Sequence, residues 1–175
     1  MRIRIIWLVF LMMLTSPLGG CVQHPSSLSD AAPRTDASQR AVADVLDALH
    51  HAAATADGET YFDLFAPDAV FLGTDATERW PIAEFRAWAE PYFQRDSAWV
   101  YRVLERHITI APVGTVAWFD ERLWNDRLGE TRGSGVLRRI GDSWRLEQYN
   151  LTMVIPNDLA DEIAGRIRQW FADRP

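Results

Sequence analysis

Trp144-Arg145-Leu146-Glu147-Gln148-Tyr149-Asn150-Leu151-Thr152 sits in the last of four consecutive β-rich runs, and those runs decide the fold. They cover Trp99–Ile110, Val116–Trp124, Thr131–Ile140 and Ser143–Ile155, separated by Pro112-Val113-Gly114, Leu128-Gly129 and Gly141-Asp142. Long strands joined by short Gly- and Pro-containing turns pair as antiparallel neighbours. Upstream the period changes. From Ser38, Val42, Val45, Leu46 and Leu49 recur at helical spacing until Asp57-Gly58, and a second short helix is predicted over Glu59–Phe65. Pro67-Asp68 turns into a brief strand, Ala69–Leu72, and Gly73-Thr74-Asp75 opens a loop to Trp80-Pro81. A third helix is predicted from Ile82 to about Gln94, and a fourth after Pro156-Asn157-Asp158, where Leu159, Ile163, Ile167 and Phe171 fall at four-residue steps. The fourth helix is expected to pack on the domain. Helices first and a strand meander afterwards is an α+β pattern, with a curved antiparallel sheet wrapping helices on one face and leaving a cone-shaped pocket.

Four blocks carry a family resemblance: Phe71-Leu72-Gly73-Thr74-Asp75, Ala117-Trp118-Phe119-Asp120-Glu121, Arg132-Gly133-Ser134-Gly135-Val136-Leu137, and the stretch Trp144–Thr152. In this order they resemble the SnoaL-like branch of the nuclear transport factor 2-like superfamily, across about Ser38 to Asn157. The resemblance implies the cone fold. It does not select an activity, because relatives include isomerases, cyclases and binders.

The amino terminus reads as an address. Arg2 and Arg4 precede an apolar run, Ile5 to Leu14, and Leu18-Gly19-Gly20-Cys21 follows. This resembles a bacterial lipoprotein signal, so residues 1–20 are expected to be removed and Cys21 to be lipidated. The rival is an uncleaved anchor, since residues 1–18 approach the roughly 20 apolar residues that a spanning helix needs. Residues 21–37 are expected to form the lipidated cysteine and a flexible tether, with the folded domain over 38–175. About 16 tether residues reach on the order of 20 Å. In a Gram-negative host, Val22 after the cysteine resembles outer-membrane retention on the periplasmic side.

Composition excludes several chemistries. The whole chain carries a formal charge of −6, and the first twenty residues hold only basic charges, so the remainder is more acidic still. Nucleic acid is therefore not an expected partner. The chain has no lysine, which excludes Schiff-base catalysis, and its single cysteine is taken by the anchor, which excludes a thiol nucleophile, a disulfide and a thiolate metal site. No cofactor is implied. Eight Trp and eight Phe imply an aromatic core or an aromatic-lined pocket.

Strict two-residue alternation puts Trp144, Leu146, Gln148, Asn150 and Thr152 on one face of the last run, and in the family that face points into the cone. Many relatives carry His at the positions of Gln148 and Asn150. Amides orient a ligand but do not abstract protons near neutral pH. Adjacent Asp120 and Glu121 must point to opposite faces. Trp118, Asp120, Arg122 and Trp124 form one, and Ala117, Phe119, Glu121 and Leu123 form the other, which is the more core-like. Asp120 is favoured for the pocket as acid or base, against a purely structural Asp120–Arg132 cross-strand pair. Trp80, Trp118, Arg132, Gln148 and Asn150 are the expected ligand contacts. Ser134 lies inside a strand run with no following helix, which argues against a nucleophile elbow. His50 and His51 are about 100° apart on one helix and read as a surface pair, and no metal constellation emerges.

Three functions follow as expectations. The first is a lipid-anchored envelope protein whose cone binds a small apolar or amphipathic ligand or a partner. The second is an isomerase, cyclase or hydrolase using Asp120. The third is a homodimeric scaffold joined through the outer sheet face.

Overall fold

The computed structural model describes residues 31–174. The expectations for residues 1–30, including lipidation at Cys21, lie outside the described residues. In chain order the elements are α1 (Ala31–Ala54), α2 (Gly58–Asp63), β1 (Phe65–Leu72), β2 (Arg79–Pro81), α3 (Ile82–Phe93), β3 (Arg102–Ile110), β4 (Val116–Asn125), β5 (Gly129–Ile140), β6 (Ser143–Met153), a 3₁₀ turn (Asn157–Leu159) and α4 (Ala160–Ala172). Helix α1 begins seven residues before the expected Ser38, so 31–37, assigned to the tether, are helical. Pro33 falls in the first turn of α1, where a missing N–H costs nothing.

The six strands form one sheet in the order β2-β1-β6-β5-β4-β3. The meander β3 to β6 is antiparallel throughout, as its short turns require. Strand β1 adds parallel to β6, and the short β2, which the sequence presents only as a loop, pairs antiparallel with β1. The sheet is curved and unclosed, and α1 lies across its inner face. Val42, Leu46, Leu49 and Ala53 of α1 share the core with Phe119 of β4, Leu137 of β5 and Leu146 of β6.

Two bulges decide which side chains face inward. On β6, Leu146 pairs with Leu137 but Gln148 pairs with Val136, so Glu147 is an extra residue. Such an insertion reverses the alternation beyond it. Trp144 and Leu146 point inward before the bulge, whereas Tyr149 and Leu151 do so after it. Gln148, Asn150 and Thr152 are thereby sent to the outer face. Gly135 makes this register possible, because a Cβ there would fall 2.1 Å from the Gln148 carbonyl oxygen. On β3, Val103 pairs with Leu123 and Glu105 with Arg122, making Leu104 the extra residue and turning Arg106, Ile108 and Ile110 inward.

Helix α4 corrects one expectation. It buries none of its residues, and Ile167, Trp170 and Phe171 remain about half exposed or more. Its acidic first turn, Asp161 and Glu162, complements the helix dipole, and an Arg166–Glu162 pair at 3.0 Å spans one turn. Local terms therefore support it where core packing does not.

Candidate functional site

Between α1, α2, α3 and the inner face of the sheet lies a cavity of about 660 Å³. That is ample for a small organic ligand. Its walls are a run of aromatic rings that α2, α3, β1 and β6 bring together. Phe71 stacks on Phe85 at 3.9 Å between centroids and on Tyr149 at 5.6 Å, Trp88 lies 5.8 Å from Phe85 and 5.0 Å from Tyr92, and Tyr61 meets Trp99 edge-on at 5.5 Å. Leu49, Phe71, Phe85, Trp88 and Leu151 supply apolar surface, and Asn125 to Leu128, Arg95 and Glu78 complete the lining.

A polar cluster lies at the junction of α1, β3 and β4. Glu121 is fully buried. His50, which lines the cavity with its side chain only 11% exposed, meets Glu121 Oε2 through Nε2 at 2.9 Å. On the other side, Arg106 Nε donates to Glu121 Oε1 at 2.5 Å, while its Nη1 donates to Asp47 Oδ1 at 2.8 Å and to the Ala43 carbonyl at 3.2 Å. Burial works against the Arg106 charge, but the Glu121 charge and the hydrogen bonds to Glu121 and Asp47 outweigh it and raise its pKa. When the Nε2 proton of a neutral His50 is directed at Glu121, the lone pair resides on Nδ1. A carboxylate that fixes the tautomer and orientation of an imidazole is the arrangement used in general acid–base sites.

Tyr61 and Tyr149 also line the cavity, and among the described residues neither hydroxyl has a hydrogen-bond partner. Burial raises both phenol pKa values, and for Tyr149 the Glu121 charge adds to the effect. Both are neutral phenols able to donate to an oxygen in the cavity. The Tyr149 hydroxyl packs over Gly133, where a Cβ would fall 2.6 Å from it and 3.3 Å from Glu121 Oε2. Gly133 thus leaves room for the phenol beside the carboxylate.

None of the six predicted pocket residues lines the cavity. Trp118, Asp120, Arg132, Gln148 and Asn150 do come together, in cross-strand rows Trp118–Val136–Gln148, Asp120–Ser134–Asn150 and Arg122–Arg132–Thr152, but on the outer face of the sheet. The cause on β6 is the Glu147 bulge. On β4 the cause is burial, since Ala117, Phe119, Glu121 and Leu123 are the inward set. Asp120 is thus exposed, and Glu121 is the carboxylate beside the cavity. The alternative Asp120–Arg132 pair does not form either, because Arg132 stands opposite Arg122. Trp80 lies behind the cavity wall, 5.9 Å from Trp88 in a stacked pair. His107 is exposed and meets Glu105 at 3.0 Å. Sequence reasoning missed His50, Arg106, Tyr61 and Tyr149. His50 carried a legible signal, because it lies four residues after Leu46 on the buried stripe of α1. No group of three or more potential metal ligands occurs among the described residues.

The family model for the SnoaL-like domain matches residues 42–156, and the chain belongs to that family. No curated protein matches the chain. Solved structures agree on the fold. One similar structure is an NTF2-like (nuclear transport factor 2-like) protein of unknown function from Pseudomonas putida, 14% identical, with a TM-score of 0.59, covering 71% of this chain and 92% of that one. A candidate aromatic ring hydroxylase from Novosphingobium aromaticivorans is 21% identical, with a TM-score of 0.58, covering 69% and 92%. A candidate dehydratase of the NTF2-like family from Streptomyces avermitilis is 16% identical, with a TM-score of 0.59, covering 69% and 99%.

Proposed function

We propose that this chain is a lipid-anchored envelope protein whose cavity binds a small, largely apolar, oxygen-bearing molecule and moves a proton on it, with His50 as the acid–base group. One observation carries the catalytic part: a fully buried carboxylate, Glu121, holds a cavity-lining imidazole by a 2.9 Å hydrogen bond. A buried carboxylate is costly to desolvate, and apolar residues of equal volume often serve stability as well or better. A desolvated carboxylate–imidazole pair beside an aromatic cavity therefore reads as a site. His50 takes or returns a proton at Nδ1, Glu121 orients the ring and balances its charge when protonated, and Tyr61 and Tyr149 donate to the oxygen where negative charge develops. Isomerisation and dehydration both need this equipment. The amides at Gln148 and Asn150 do not argue against catalysis, because they face away from the cavity. Anchoring and envelope location rest on the pattern around Cys21 alone.

The test begins with full-length chain isolated from its host membrane, where native mass spectrometry identifies retained molecules. His50→Gln is expected to keep the retained molecule and to slow its turnover by about 10²–10⁴-fold. Turnover at the wild-type rate in that variant would remove His50 from the chemistry. Retention without any turnover in wild-type chain would leave a binding protein, the second reading.

A further inference from the structure

The charges around the cavity differ in whether they are already satisfied. Two acids line it near the rim. Glu78 accepts the backbone N–H of Asp75 at 3.1 Å, and Asp126 accepts Trp124 Nε1 at 3.0 Å and Arg102 Nη2 at 3.2 Å. Two arginines line it as well, Arg95 and Arg127. Arg95 lies over the Tyr92 ring at 4.5 Å, and Arg127 uses its backbone N–H on Asn125 Oδ1. Neither guanidinium forms an ion pair among the described residues, although the whole chain carries a net charge of −6. Of the lining charges outside ion pairs, two arginines stand against one acid, Glu78, so the surplus charge at the rim is positive.

The interior offers no such free cation. Glu121 sits fully buried there, and the one arginine beside it, Arg106, is already paired with Glu121 and Asp47. A second anion placed beside it would be repelled in a medium that screens poorly. Two neutral phenols beside it still await an acceptor. A ligand that meets all of these demands is apolar and flat in its middle, for the stacked rings, with a neutral oxygen at its inner end and an anionic group at its outer end.

Resting on the reading of the cavity as the binding site, we propose that its ligands are aromatic or alicyclic carboxylic acids, bound with the carboxylate at Arg95 and Arg127 and a hydroxyl or carbonyl oxygen toward Tyr61, Tyr149 and His50. An unpaired guanidinium matches the fork of a carboxylate. This polarity also fixes which end of the ligand meets His50: the neutral oxygen-bearing end is presented for proton transfer, while the carboxylate only holds and orients.

Full-length chain in lipid nanodiscs, referenced to empty nanodiscs, would be titrated with 2-naphthoate and 2-naphthamide and with pyrene-1-carboxylate and pyrene-1-carboxamide, followed by tryptophan quenching. Each acid is expected to bind at least tenfold tighter than its amide. Arg95→Gln combined with Arg127→Gln is expected to abolish that preference by weakening the acids at least tenfold, with an unchanged urea midpoint showing that the variant is folded. Equal affinity for acid and amide, or a preference that survives the double variant, overturns the carboxylate assignment and leaves the cavity reading intact. Failure of both pairs to bind overturns the cavity reading as well.

Discussion

Glu121 and Arg122 are chain neighbours on β4, each bonded directly to two ionisable side chains, and they differ in almost everything else. Glu121 faces inward, is fully buried, and joins Arg106 and His50. Arg122 faces outward, about half exposed, and joins Glu130 at 2.8 Å and Glu105 at 3.3 Å. The outer network sits in water, where Coulomb attraction is screened and side-chain ordering offsets most of the gain. The inner one is desolvated, so every partner must be present. One face of the sheet therefore tolerates change and the other concentrates chemistry.

The contrast is sharpest under mutation. Glu121→Gln leaves Arg106 and His50 without their carboxylate and is expected to destabilise the fold by about 3–5 kcal/mol, read from the urea midpoint. Next comes Gly135→Ala, whose Cβ meets the Gln148 carbonyl and Phe119, at about 1–3 kcal/mol. Gly133→Ala is expected to cost a similar or smaller amount and, by displacing the Tyr149 hydroxyl, to weaken ligand binding as well. Alkaline pH probes the interior without mutation. Tyr61 and Tyr149 keep their protons in the folded state beyond the free value of 10.0, because burial raises both. The unfolded chain then binds fewer protons than the folded one, so stability is expected to fall as pH rises above 10. Phe at both positions should flatten that fall. Smallest of all, Arg122→Ala is expected to leave the midpoint unchanged within error. A loss comparable to that of Glu121→Gln would break the comparison.

The meander was legible because its strands are long and its turns carry Gly or Pro, and α1 because Val42, Leu46 and Leu49 mark a stripe. Legibility ended where one inserted residue sets a face. Glu147 and Leu104 look like ordinary strand residues, yet each reverses the alternation after it, which is why Gln148 and Asn150 were assigned to the cone. The choice between Asp120 and Glu121 needed the burial of Ala117, Phe119 and Leu123 to be weighed above the aromatic character of Trp118 and Trp124. His50 was readable in principle. Its i+4 relation to Leu46 outweighs its adjacency to exposed His51. The partnership of His50 with Glu121 and Arg106 was not readable, since it joins residues 50, 106 and 121 through tertiary packing alone.

If function resides on the inner face, at His50 and Glu121, the imidazole resonances of His50 and His107, one on each face, respond differently when 2-naphthol is added. The His50 signals are expected to move in a saturable way while those of His107 stay still. Movement of His107 with His50 unchanged would return the site to the outer row of Asp120.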